Sequence, residues 1–284
     1  MMNICIVGMG LIGGSLSKAL RGSGFAGTII GVDKNPQHRT IAMYCGLANE
    51  FMTLDEAVEV SDLILLCSPV DANLKLLPEI LDKIKGTQKV VADMGSTKAE
   101  LAAVVANHPG RGRYVAVHPM AGTEYSGPAA AVEKLFLDKV AIICDREQSD
   151  EDAYLLVLAM LQALNMKLLF MNSSDHDVHV AYVSHISHIT SFALALCVLD
   201  KEKDEKNILS LAAGGFESTV RLAKSNGDTW APIFLGNAGS IVEVIDTYIE
   251  KMNFFKQLIV ERDAESLKAL MTHANSIRKI LNNK

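Results

Sequence analysis

The chain has 284 residues, 49% of them hydrophobic and 21% charged, which excludes disorder, collagen-like repeats and a disulfide-stapled miniprotein. Net charge is −6 and no run of Lys or Arg exceeds two residues, which excludes a phosphate-backbone binder, whose affinity rests on clustered cations. Five cysteines without a C-x-x-C pair fit buried thiols in a reducing cytosol better than a disulfide framework or a zinc site.

The uncharged opening, 1–17, lacks a basic leader and is interrupted by Gly8, Gly10, Gly13 and Gly14, so it does not read as a signal peptide. Beyond it, short β-branched runs alternate with amphipathic stretches. Strands are predicted over 3–7, 28–32, 63–67, 89–92, 114–117 and 140–144, and helices over 13–21, 36–44, 54–60, 72–84 and 98–107. A helix over 150–164 and a strand over 166–170 close this part. Such alternation predicts an α/β fold with a doubly wound, mostly parallel sheet and helices on both faces.

From about Asn172 strand signals stop, and helical periodicity covers 175–199, 204–225, 230–252 and 264–282. Pro232 is the only proline here, which permits long helices, and Asn226-Gly227-Asp228 forms a turn with Asp228 as candidate N-cap. The longest apolar stretch, 186–199, has 14 residues and includes His188, Thr190 and Ser191, short of the roughly 20 a membrane span needs. The expected division is a dinucleotide-binding domain over 1–171 and an all-α domain over 172–284, in a cytoplasmic protein with no membrane partner.

Gly8-Met9-Gly10-Leu11-Ile12-Gly13 is a G-x-G-x-x-G match that directly follows a predicted strand and opens a predicted helix. Gly8 serves the tight turn, Gly10 lets backbone approach a pyrophosphate, and Gly13 allows close helix–strand packing. The amides of Leu11, Ile12 and Gly13 at the helix start offer free N–H groups to an anion. Asp33, 20 residues after Gly13, closes the second strand, where a carboxylate accepts from a ribose 2′-OH and repels a 2′-phosphate. The amino-terminal half is thus expected to be Rossmann-type, with NAD preferred over NADP.

Ligands of open α/β sheets sit beyond the carboxyl ends of the strands. Three later strands end there in polar loops: Ser68-Pro69, Asp93-Met94-Gly95-Ser96-Thr97-Lys98, and the segment from His118 to Glu124. Ser68 and Pro69 are therefore further cofactor-binding candidates. Ser96 is a candidate for the chemistry, or an N-cap of the helix that follows. His118 is either a proton acceptor for alcohol oxidation or a histidine that merely braces its loop.

Four of the eight histidines, His176, His179, His185 and His188, fall within 13 residues. On one continuous helix they point at about 0°, 300°, 180° and 120°, so His176 and His179 share one face and His185 and His188 the roughly opposite one. Four ligands cannot converge on one ion from opposite faces, and no metal is expected. Gly214-Gly215 interrupts a helical pattern. Arg221, among apolar neighbours, is either paired with Glu217 at i−4 or held for a carboxylate ligand.

Together these motifs resemble the prephenate/arogenate dehydrogenase family of tyrosine biosynthesis. The similarity rests on G-x-G-x-x-G-G-S over 8–15, D-x-G-S-x-K over 93–98, H-P-M-A-G-T-E-x-S-G over 118–127, S-H-x-S-H over 184–188, G-G-F…R over 214–221 and W-x-x-I-F-x-x-N over 230–237. Departures from the family pattern include Ser187, where proline is common, and the pair Glu217 and Ser218. The resemblance implies that His118 is the catalytic histidine that takes the proton of the substrate's ring hydroxyl and that Ser96 orients both. It further implies that Arg221 binds a substrate carboxylate, with His188, Thr123 and Gly214 lining the same pocket. The implied protein is a monofunctional, NAD-dependent prephenate dehydrogenase, a homodimer through its helical half, acting on a small molecule and not on nucleic acid. Arogenate, another hydroxyacid, or a sensor that binds NAD without turnover are the alternatives.

Overall fold

The computed structural model describes residues 2–281. Eight strands form one sheet: β1 (Met2–Val7), β2 (Ala26–Val32), β3 (Glu50–Phe51), β4 (Leu63–Leu66), β5 (Val90–Asp93), β6 (Tyr114–Pro119), β7 (Val140–Cys144) and β8 (Lys167–Met171). Their order is β3-β2-β1-β4-β5-β6-β7-β8. All pairs are parallel except β6 with β7, which run antiparallel. Helices α1 (Leu11–Gly22), α2 (Pro36–Tyr44), α3 (Leu54–Val60), α4 (Val70–Lys83), α5 (Ala99–Val105) and α6 (Glu151–Ala163) join the strands. Alternate strand residues feed two cores, as a period of two requires. Ile4, Ile6, Leu63, Leu65, Val115 and Val117 pack on one face, and Cys5, Val7, Ile64, Leu66, Tyr114 and Ala116 on the other.

The order reverses between β1 and β4, the switch point where open α/β sheets bind ligands. This places the glycine loop after β1 beside Cys67, Ser68 and Pro69 after β4. The predicted strands and helices of this half all form, with bounds shifted by a few residues; two-residue β3 has too little pattern to be foreseen.

The helical half is more broken than its periodicity predicts. The first long helix is a run of α7 (Ser173–Val180), a π-helical turn (Ala181–His185) and α8 (Ile186–Asp204). The expected helix over 204–225 is instead a 3-10 turn at Leu209–Leu211, α9 (Gly214–Val220) and a second 3-10 turn at Arg221–Lys224. Glycines 214 and 215 sit at the start of α9, not inside a helix. The stretch from Trp230 divides at Gly236-Asn237 into α10 (Gly227–Gly236) and α11 (Ala238–Glu261), and α10 is capped by Asn226, which accepts from Asp228 N at 2.8 Å, not by Asp228. Helices α12 (Ala264–Ala274) and α13 (Ile277–Leu281) follow; Asn282 lies outside the described residues. The chain forms one compact unit through Ala238 and a second from Gly239 onward.

Candidate active site

At the switch point each glycine of the loop has a measurable reason. Gly8 has φ +94°, and a Cβ there would lie 2.7 Å from Ser68 N and 2.8 Å from the Cys67 carbonyl carbon. A Cβ on Gly13 would lie 2.1 Å from Gly8 O and 2.9 Å from Ile6 Cγ2, so α1 packs against β1 only with glycine there. Gly10, by contrast, faces open space, which leaves its backbone accessible to a ligand. The amides of Leu11, Ile12 and Gly13 open α1. Asp33 Oδ2 accepts from Met9 N at 2.9 Å, so the acid at the end of β2 also pins the glycine loop. Its Oδ1 accepts from Asn35 N at 2.8 Å, and His38 Nδ1 stands 3.4 Å from Oδ2. Ser68 is hydrogen-bonded to Asn73, and Pro69 is the residue from which α4 starts. An open cradle at Gly10, free helix-start amides and a 2′-OH acceptor at Asp33 fit the adenosine and pyrophosphate of NAD.

His118 ends β6, buried, and its Nδ1 lies 2.8 Å from His176 Nε2; His176 Nδ1 lies 2.7 Å from Asp177 Oδ1. A carboxylate only accepts, so His176 carries its proton on Nδ1 and accepts on Nε2. That makes His118 Nδ1 the donor and leaves His118 Nε2 a bare base. Burial pushes His118 well below the usual histidine range, and the neighbouring His176 and the Lys98 cation push the same way. His176 is lowered chiefly by burial, against the opposing pull of Asp177. Both are neutral at pH 7, as a proton acceptor requires.

Asp177 does a second job. Its Oδ1 accepts from Lys98 N at 2.9 Å and its Oδ2 from Ala99 N at 2.9 Å, so a residue of α7 caps α5. Ser96 is therefore not the N-cap; it sits half-buried on the loop between β5 and α5. Asp93 holds that loop from below: Oδ2 accepts from Gly95 N at 2.9 Å and from Lys98 Nζ, and Oδ1 from Tyr114 Oη at 2.7 Å. Asp93, Lys98 and Tyr114 are fully buried, so this ion pair has no access to solvent screening.

At the more exposed side, Arg221 Nη1 lies 2.9 Å from Glu124 Oε2. The partner is thus the glutamate of the loop after β6, not Glu217, which instead faces Lys224 at 3.7 Å. Glu124 is held below the usual carboxylate range by its own backbone amide and by Arg221. Thr123, next to it, is exposed and accepts from Tyr125 N at 3.2 Å. Ser191 of α8 fixes the Arg221 segment by donating to Thr219 O at 3.0 Å and accepting from Ala223 N at 3.1 Å. Gly214 opens α9, exposed, with open space where a side chain would stand.

His188 stacks on Trp230 at a centroid distance of 3.4 Å, and its Nδ1 faces Ser184 O at 3.3 Å. Burial lowers its proton affinity, and the Arg221 cation adds to that, which sets the two near each other. His185 is buried and packs edge-on to Trp230 at 6.1 Å. The opposite-face arrangement expected of His176 and His185 thus fails: both are buried and each alters the other's charge. The π turn between them is the reason, because i→i+5 bonding rotates the following residues less than α-helical turns would. His179 has no part in the cluster. Sequence reasoning missed His176 and Asp177 as partners of His118. Their adjacency in the chain was visible, but the contact across 58 residues was not.

Comparison with known proteins agrees with this geometry. Residues 16–170 match the family model described as prephenate dehydrogenase, nucleotide-binding domain, and residues 172–273 match prephenate dehydrogenase, dimerization domain. The chain is 29% identical to the prephenate dehydrogenase of Bacillus subtilis, over 93% of this chain and 72% of that one. It is 28% identical to the cyclohexadienyl dehydrogenase of Zymomonas mobilis, over 93% of this chain and 91% of that one. The crystal structure of Aquifex aeolicus prephenate dehydrogenase in complex with hydroxyphenyl propionate and NAD+ superposes with a TM-score of 0.87 at 31% identity, covering 99% of this chain and 98% of that one. A glycine cradle at the switch point, a neutral histidine at a strand end and two family models that meet at residue 171 make this chain an NAD-dependent oxidoreductase of the prephenate dehydrogenase family.

Proposed function

We propose that the protein catalyses NAD-dependent oxidative decarboxylation of prephenate to 4-hydroxyphenylpyruvate, with His118 as proton acceptor and Ser96 orienting the ring hydroxyl. The observation that carries this reading is the buried chain His118–His176–Asp177, whose donor order leaves His118 Nε2 unprotonated. Gly8, Gly10, Leu11, Ile12, Gly13, Asp33, Ser68 and Pro69 would hold NAD, which when bound supplies the hydride acceptor. As the ring carbon loses hydride, its hydroxyl proton passes to His118 Nε2. The carboxyl group leaves as carbon dioxide, its bonding pair stays in the ring, and the ring becomes aromatic. Aromatisation drives the step, so the chain has to supply a base, a fixed geometry and carboxylate anchors. Arg221 is the anchor, with His188, Thr123 and Gly214 around it. To bind the substrate Arg221 exchanges the Glu124 carboxylate for the ligand's.

Residues 1–171 would bind the cofactor, and residues 172–284 the substrate and a second copy of the chain. The match to a dimerization-domain model supports a homodimer, as do Leu194, Leu196 and Leu199, which stand exposed along α8. The run Ser173–Asp204 is long and apolar enough by length and composition to cross a membrane. Its buried His176, Asp177 and His185 are tied to the site instead, so we take its exposed apolar side chains as an interface between copies in a cytoplasmic enzyme.

A second reading is broader: the similarity to a cyclohexadienyl dehydrogenase leaves arogenate, with an amine in place of the keto group, as a substrate. The test is NADH formation with prephenate and with arogenate, each with NAD and with NADP. Turnover of prephenate with NAD is the expected result. NAD binding without turnover of either compound would sink the proposal.

A further inference from the structure

His185 occupies a position the proposed chemistry does not use. It is 1% exposed, it is delivered by the last residue of the π turn, and it lies within electrostatic reach of His118, His176, Asp177 and His188. Its tautomer is fixed by Asn237. The Asn237 Nδ2 donates to Asp177 O at 2.6 Å, so the amide nitrogen, not the oxygen, faces that carbonyl. The same nitrogen lies 3.3 Å from His185 Nδ1. An amide nitrogen only donates, so Nδ1 accepts and the imidazole proton sits on Nε2. Burial lowers the His185 pKa to about 4, so the ring is neutral at pH 7 and carries that one proton.

His185 Nε2 is buried and has no hydrogen-bond partner among the described residues. Of the four buried side-chain atoms in that condition (the others belong to Ser61, Arg111 and Asp145), it alone belongs to the histidine cluster around His118. A buried N–H left without an acceptor is costly, and such groups are rare outside functional positions. His188, on the other side of Trp230, has the opposite polarity: its Nδ1 donates to Ser184 O, so its Nε2 is bare. The two histidines that flank Trp230 therefore offer one neutral donor and one neutral acceptor.

We propose that His185 is a substrate-binding residue whose Nε2–H donates to an oxygen of the substrate, a carboxylate or the side-chain keto group, with Asn237 as the positioning residue that fixes the donating tautomer. This rests on the function proposed above and adds a contact to it. A neutral donor suits an oxygen acceptor and opposes an ammonium group, so a contact at the keto position also bears on the choice between prephenate and arogenate.

The test compares wild type, His185→Gln and His185→Leu by steady-state kinetics with prephenate and with arogenate, alongside NAD binding by fluorescence. Glutamine keeps an N–H near the Nε2 position; leucine fills similar space without one. For His185→Leu, KM for prephenate is expected to rise about tenfold, the scale of one hydrogen bond, with NAD affinity unchanged and His185→Gln closer to wild type. A rise in KM for both substrates assigns the contact to a carboxylate; a rise for prephenate alone assigns it to the keto group. Wild-type KM in both variants, or equal losses in both variants that fall on kcat, overturns the proposal. Absence of turnover in the wild type would instead overturn the function on which it rests. Should His185→Leu fail to bind NAD, Asn237→Leu provides the second variant: with the tautomer unlocked, KM is expected to rise while NAD affinity holds, and an unchanged KM overturns the proposal.

Discussion

His118 Nδ1 and His176 Nε2 stand 2.8 Å apart, which joins the end of β6 to the first helix after the sheet and fixes which nitrogen of His118 is free to accept a proton. Replacing His176 by phenylalanine removes that constraint while keeping an aromatic ring in the space. His176→Phe is expected to lower kcat by about 10²–10⁴-fold, on the scale of removing the base itself, with little change in KM. Because the two rings act as one unit, the double variant with His118→Asn should be hardly slower than either single variant. Additive losses in the double-variant cycle would show that they work independently.

The sheet, its helices and the nucleotide crevice were legible because local signals specify them. Period-two strands, a glycine loop with a positive-φ residue at Gly8 and an acid 20 residues after Gly13 are all readable within one βαβ unit. His118 and Arg221 were legible by residue type and motif, but their partners were not. Glu124 reaches Arg221 across 97 residues, and Asp177 caps α5 across 78, and no pattern along the chain encodes such contacts. The π turn at Ala181–His185 was hidden for a different reason. Its side chains carry no propensity that distinguishes i→i+5 from i→i+4 bonding, yet it decides which histidines meet.

Activity should persist into acid further than an ordinary histidine allows. His118 must be neutral to accept a proton, and burial, His176 and Lys98 all hold it well below 6.5. The acid limb of kcat/KM is therefore expected well under pH 6.5. A limb centred near 6.5 would mean that His118 is solvated or is not the base.

Stability should follow the same histidines. His185 titrates at about 4 in the folded chain against 6.5 when exposed, so the unfolded chain binds the extra proton first as pH falls. The contribution is complete above pH 6.5 and lost on the way down to pH 4, about 3 kcal/mol for this group alone at 1.36 kcal/mol per unit. Urea midpoints measured between pH 7 and pH 4 are expected to fall, and in His185→Gln the fall should be smaller.

Lys98 stabilises the fold and tunes the base at once. Lys98→Met strands Asp93 in the core, which is expected to cost about 3–5 kcal/mol, whereas the double variant Asp93→Asn with Lys98→Met should recover much of it. Removing the cation also removes one of the influences that lower His118. The acid limb should shift upward in both variants, and an unshifted limb would separate Lys98 from the chemistry.

Asp33 links cofactor choice to loop geometry. Its carboxylate holds Met9 N as well as facing the ribose position, so Asp33→Ala should weaken NAD binding about tenfold and narrow the preference over NADP. Titration with both nucleotides measures each effect. Unchanged NAD affinity would remove Asp33 from the cofactor site.

Arg221 rests on Glu124 in the ligand-free chain, and a substrate carboxylate has to displace that partner before it can bind. Arg221→Gln is therefore expected to raise KM about 10–100-fold through loss of a charge-assisted contact, with NAD affinity intact. Glu124→Gln releases the guanidinium without removing it. That variant should lower KM a few-fold, because binding no longer begins with the exchange of one carboxylate for another. High salt, which weakens exposed pairs, should narrow the difference between Glu124→Gln and wild type. If Glu124→Gln raises KM instead, Glu124 holds Arg221 in its binding orientation rather than competing with the substrate for it.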